Sequence, residues 1–345
     1  MTIRLAIYAA ATIATAALMS ACGGGGGGGG GSSGPAYTVS VDVAGLSGSM
    51  VLQLNAANDL TVSADGTSSF SAALRQNASY SVTVQTQPAT QYCAVSNGSG
   101  TVAADVTVNV TCNASVGGTW YATAGTDEYL GLVDEMGDFY LIDITAADTE
   151  FLDAGTASVV GTTVSGNYLG VAVGSATYPD GSVYGNGTLT GTVTPRASLD
   201  LTAQFTTSMG TLSSTPLSFT YNSLYERAST LATIAGNFTE AVNEGGTVVN
   251  LTVTISDSGA LYSQDPNSGC VENGSVSIIN PSYNMYRIQY LYANCTGAYT
   301  YLNGLTFSGI GTLDNETSPE EIIAGTSATT GTGGEYLGLL VLQRD

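Results

Sequence analysis

"TVVNLTVTISDSGALYSQ", residues 247–264, decides the fold. Val249, Leu251, Val253 and Ile255 alternate with Asn250, Thr252 and Thr254, then Asp257, Ser258 and Gly259 interrupt the pattern before a second run begins. Residues two apart share one face of a strand, so the stretch reads as a half-buried strand, a turn and another strand. The same period governs Leu199, Leu201, Ala203 and Phe205, and segments such as "GTWYATA" (118–124) and "GSVYGNGTLTGTV" (181–193). No segment carries a long 3.6-residue apolar period. Only "SPEEII", Ser318 to Ile323, resembles a helix start, with Pro319 in its first turn.

Residues 114–345 therefore predict an all-β region. The order of features repeats within it. Gly118-Thr119-Trp120 is followed by "GLVDEMGDFYLID" and later "GTLTGTV"; Gly236-Asn237-Phe238 is followed by "LTVTISDSGALYSQD" and later "LTFSGIGTL". This points to an internally duplicated β-meander with halves at 114–228 and 229–345. The strands of each half suffice for a small barrel of lipocalin-like size, or for pairing into one extended sheet.

Residues 36–113 hold shorter alternating segments cut by Gly, Asn, Asp and Pro. Val39, Val41 and Val43, then Tyr80, Val82 and Val84, then Val106, Val108, Val110 and Cys112 read as inward faces of an immunoglobulin-like β-sandwich. Gly45-Leu46-Ser47-Gly48, Gln87-Pro88, Cys93, Asn97-Gly98-Ser99-Gly100 and Cys112 give residues 37–112 a resemblance to a β-sandwich repeat of bacterial envelope proteins. That resemblance implies a spacer or presenter and carries no functional residue over.

Upstream, Met1 and Arg4 precede an apolar run from Leu5 to Met19, too short to span a bilayer of about 30 Å as a helix and built like a secretory signal. Leu18-Met19-Ser20-Ala21-Cys22 resembles a bacterial lipobox. The resemblance implies a lipoprotein signal peptide at 1–21, cleavage before Cys22, a diacylglyceryl thioether on Cys22 and a fatty-acylated (palmitate-type) N-terminus, several chains being needed for a stable anchor. Residues 22–35 follow as the lipidated cysteine and a glycine-rich tether without side chains to bury. Gly23, rather than an aspartate, after the cysteine implies sorting to the outer membrane, facing either the surface or the periplasm.

Composition narrows the function. The formal net charge is −21, with six basic residues, all arginine, and no histidine. Phosphate recognition needs clustered cations, so nucleic acid is excluded as a partner. Without histidine or lysine there is no Ser-His-Asp triad, Cys-His pair, HExxH site or Walker lysine. No catalytic residue, metal site or cofactor is expected; paired carboxylates for glycoside hydrolysis are the one enzymatic alternative. Five cysteines become four once Cys22 is lipidated. Three connectivities are open to them, and proximity favours Cys93–Cys112 and Cys270–Cys295 in an oxidising compartment.

Two clusters remain. Tyr283, Tyr286, Tyr290, Tyr292, Tyr299 and Tyr301 crowd a chain with twenty tyrosines. On a strand Tyr286, Tyr290 and Tyr292 share a face; with Tyr299 and Tyr301 they are the candidate ligand-binding residues, an aromatic platform for a glycan or protein, unless they fill a barrel interior. The acidic run Asp127, Glu128, Asp134, Glu135, Asp138, Asp143, Asp148, Glu150 and Asp153 fits no EF-hand loop and reads as a solvated face. The expectation is thus a non-enzymatic, outer-membrane-anchored binding or adhesion lipoprotein, with a purely structural envelope protein as the alternative.

Overall fold

The computed structural model describes residues 34–144, 149–213, 216–244, 247–331 and 335–345. The signal, the Cys22 lipidation position and most of the glycine tether lie outside the described residues. Contacts divide the chain into a unit that ends at Ala114 and one that begins at Ser115.

The first unit is a β-sandwich. Strands β1 (Ala36–Tyr37), β2 (Val39–Ala44), β3 (Met50–Leu54), β4 (Asn58–Val62), β5 (Gly66–Ser69), β6 (Leu74–Arg75), β7 (Ser79–Thr86), β8 (Gln91–Ser96), β9 (Ser99–Thr101) and β10 (Val106–Ala114) follow one another. They form sheets ordered β5-β2-β10-β8 and β4-β3-β7-β9, with β1 and β6 paired at the side. Val39, Val41, Leu52, Leu54, Val108 and Val110 fill the space between the sheets. Cys93 and Cys112 are register partners on β8 and β10 and form a disulfide.

The second unit holds two closed eight-stranded barrels. In the first, β11 (Gly118–Ala124), β12 (Asp127–Val133), β13 (Asp138–Ile144), β14 (Thr149–Val160), β15 (Thr163–Ala172), β16 (Tyr184–Thr194) and β17 (Ser198–Thr207) run as an antiparallel meander. Beyond them, β18 (Gly210–Ser213) and β19 (Leu217–Asn222) succeed one another along the free edge of β17, and β19 closes the barrel on β11. A short passage through α1 (Leu231–Ile234) leads to the second barrel. That barrel is a closed meander of β20 (Gly236–Glu244), β21 (Thr247–Ile255), β22 (Ala260–Gln264), β23 (Val271–Ile278), β24 (Tyr286–Ala293), β25 (Thr306–Asp314), β26 (Glu321–Thr329) and β27 (Glu335–Arg344).

Two sequence expectations need correction. "SPEEII" starts no helix: Glu321, Ile322 and Ile323 open β26, where Ile322 turns into the barrel and β-branched residues suit the pleat. The acidic run is not one solvated face either. Asp134 is buried, while Asp143 and Asp153 sit in the inward-facing rows of the first barrel.

The barrels share a core. Outward residues Leu130, Leu132, Tyr140, Ile142, Leu152 and Val171 of the first pack on outward Ile310, Leu337 and Leu339 of the second. Tyr140 lays its ring over Gly325, where a Cβ would overlap it, and its hydroxyl donates to Ser308 O at 3.1 Å and Ser327 Oγ at 3.3 Å. Arg287, on the outward face of β24, donates to Asp134 Oδ2 at 2.9 Å and Asp138 Oδ2 at 3.1 Å.

Candidate binding sites in the barrel lumens

An eight-stranded barrel is just wide enough for side chains to fill it, so the inward residues decide whether it holds anything else. In the first barrel many of these residues are small. Asp153 pairs with Gly170 and Gly170 with Gly185; Gly155 pairs with Tyr168 and Tyr168 with Gly187. The missing side chain at Gly187 makes room for the Tyr168 ring, which a Cβ there would overlap.

The result is a cavity of about 70 Å³. Its walls are Trp120, Leu141, Val164, Leu189, Leu199, Leu201, Ala203, Leu217 and Phe219, with Asp153 the one carboxylate on the wall. Leu141, Leu201, Ala203 and Leu217 point inward yet are only part-buried, because they face this space. Beside Asp153 an aromatic group crosses the barrel. Tyr178, from the connection between β15 and β16, lies with its ring centroid 4.7 Å from that of Phe151 and 4.4 Å from that of Phe205. The Asp180 carboxylate holds that connection, accepting from Ser182 N at 2.9 Å and from Thr207 Oγ1 at 2.5 Å.

The Asp153 carboxyl is pushed up to about 8, first by burial and then by the charge of Asp143. The side chain is half-buried, its open side facing the lumen space. The sign of the linkage follows. A folded-state pKa raised from 3.8 to about 8 means that the native state binds more protons between those values. Stability from the neutral acid is complete below the lower value and is lost as pH rises through about 8. Asp153→Asn is expected to flatten the fall in Tm across that window, as read by circular dichroism melts; an unchanged slope would assign the pH dependence to other groups.

The second barrel is filled apart from a pocket of about 20 Å³ at one end. Tyr286, Tyr290 and Tyr292 are inward and buried, so they form no solvent-facing platform. Tyr290 stacks on Phe307 with ring centroids 5.4 Å apart, and Tyr292 meets both edge-on. Tyr299 and Tyr301 belong to the 3-10 turn Gly297–Leu302 at the end of this barrel, where Tyr299 is half-buried and Tyr301 is exposed. Cys270–Cys295 ties that turn to the start of β23, the pairing that proximity favours. Two carboxylates lie among the inward residues: Glu240, pushed up to about 8 by burial and then by Glu272, and Glu272, raised by burial although Tyr292 donates to it.

The sequence reading missed Asp153, Glu240 and Glu272 as lumen residues, along with the lumen positions of Trp120 and Tyr168. Their signal was parity: each carboxylate occupies the inward register of an alternating strand, as in Phe238, Glu240, Val242.

No family model matches the chain, and no curated protein matches it. Among solved structures it is similar to a "putative outer membrane protein" from Bacteroides fragilis at 13% identity, over 66% of this chain and 95% of that one, with a TM-score of 0.19. A likeness that weak carries no argument.

Proposed function

We propose that the chain is an exported, lipid-anchored, non-enzymatic binding protein of the outer membrane whose first barrel takes a slender apolar ligand into its lumen. One observation carries the reading: of two barrels with the same strand count, one is packed with aromatic rings and the other encloses a cavity of about 70 Å³ walled by leucines. Natural interiors are close-packed, and an apolar cavity that stays dry gains dispersion contacts when an apolar guest enters. Asp153 offers such a guest a polar group at one position on the wall, as ligand sites of this kind commonly do. Export rests on the signal and lipobox resemblance at Leu18–Cys22, and two disulfides suit an oxidising compartment. The membrane is the partner through Cys22. A glycan or protein docking on the tyrosine strand is not the site proposed, because three of its rings are buried.

Trp120 is the chain's single tryptophan and lines this cavity, so it reports on the site. Titration with bromoethane, small enough for this space and a heavy-atom quencher, is expected to quench Trp120 emission saturably. Ala203→Trp, which fills the lumen, is expected to abolish binding of the probe, followed by isothermal titration. Equal binding by the filled variant would place the probe elsewhere and favour the structural envelope alternative.

A further inference from the structure

The second barrel ends in a pocket of its own. Glu240, Tyr290, Tyr292, Tyr301, Phe307 and Tyr336 line it, and its volume is about 20 Å³, room for one small polar head. Four tyrosines and a phenylalanine line this space, and aromatic rings can stabilise a cation placed against them. Tyr301, 39% exposed, stands with its ring centroid 5.7 Å from that of Tyr336 at the edge of the pocket.

Glu240 is the telling residue. It is 2% exposed and lines the pocket, and no hydrogen bond to its carboxylate is present among the described residues. Glu272 lies near enough to raise its pKa, and no arginine side chain reaches either carboxylate among the described residues. Ser263, the inward register partner of Glu272, is 1% exposed with its hydroxyl unpartnered. Buried carboxylates are otherwise paired or bound to a cation. A barrel end lined with aromatic rings, with two buried carboxylates that no described side chain neutralises, is complementary to a positive group that also donates hydrogen bonds.

From this geometry we infer that the second barrel binds an alkylammonium ion, its head against Glu240 inside the aromatic ring and its alkyl stem leaving past Tyr301 and Tyr336. The small volume selects a primary or monomethylated head over a trimethylated one. An ammonium donates to the carboxylate that no described residue bonds, and the surrounding rings stabilise its charge. This site is separate from the lumen of the first barrel, and neither proposal depends on the other.

Isothermal titration of the full chain with n-butylammonium chloride, above pH about 8 where Glu240 ionises, tests it. The expected result is saturable 1:1 binding, with n-butanol, a neutral analogue of the same length, at least roughly tenfold weaker. Glu240→Gln should weaken the ammonium by about tenfold or more. Tyr301→Ala, at an exposed position, should weaken it several-fold in a variant whose melting curve shows that it is folded. Ala203→Trp should not affect it. Absence of saturable heat, equal affinity for the alcohol, or full affinity in folded Tyr301→Ala and Glu240→Gln would each overturn the inference.

Discussion

Arg287→Met is expected to destabilise the second unit by about 3 kcal/mol, the lower end of what breaking a buried ion pair costs. The Asp134 side chain is 1% exposed, and Arg287 supplies its only side-chain counter-charge among the described residues. Met136 N and Asp138 N also donate to Asp134, at 2.9 and 3.0 Å, so the carboxylate is held in place by its own turn. Even so, burial and the neighbouring Asp138 raise its pKa, outweighing Arg287 and the backbone donors. Removing the guanidinium leaves a fixed, buried carboxylate that protonates or draws in water, either at a cost. The part-exposed guanidinium, 30%, is the reason to expect the lower end of the range. Urea unfolding monitored by Trp120 emission measures the loss. Arg287→Met combined with Asp134→Asn should recover part of it; a double variant no better than the single one would mean that Arg287 acts through packing alone.

Tyr140→Ala is expected to cost about 3–5 kcal/mol, the range for deleting a large buried ring. The ring sits between the barrels rather than inside one, against Gly325 and within the core shared by Leu152, Ile310 and Leu339. Its hydroxyl bonds to Ser308 O and Ser327 Oγ are lost with it. Gly325→Ala attacks the same contact from the other side, where the new Cβ would overlap the ring, and overpacking of this kind costs about 1–3 kcal/mol. If Tyr140→Ala melts at the native temperature, or if it loses stability while both barrels still unfold in one transition with unchanged denaturant slope, the shared core is not the joint it is described as. Decoupling of the barrels into two transitions is the expected signature.

The alternation in "TVVNLTVTI" was enough to read strands, because the period of two has no competitor there, and β21 spans Thr247–Ile255. Alternation assigns a residue to a face and says nothing about which edge a strand meets. Barrel closure, β19 returning to β11 and β27 to β20, was therefore not legible. "SPEEII" misled because proline and two glutamates in this order mimic the first turn of a capped helix, while the choice between helix and strand rests on Ile322 meeting Leu342 across the ladder. The tyrosines were visible as a cluster sharing one face. Whether that face looked into a barrel or out of it depended on closure. The acidic run hid its division for the same reason: Asp153 lies inward opposite Leu141 and Gly170, a fact that only the register supplies. The disulfides were legible because the closest cysteines in sequence also lie on or next to neighbouring strands.

Xenon pressurisation of crystals of the chain tests the central claim most directly, since xenon enters apolar cavities and avoids filled or hydrated ones. The account predicts a xenon peak in the first barrel between Trp120, Leu201 and Leu217, and none among Phe238, Tyr286 and Ile288 in the packed interior of the second. A first barrel without xenon, its leucines closed over the space or ordered water in their place, would contradict it.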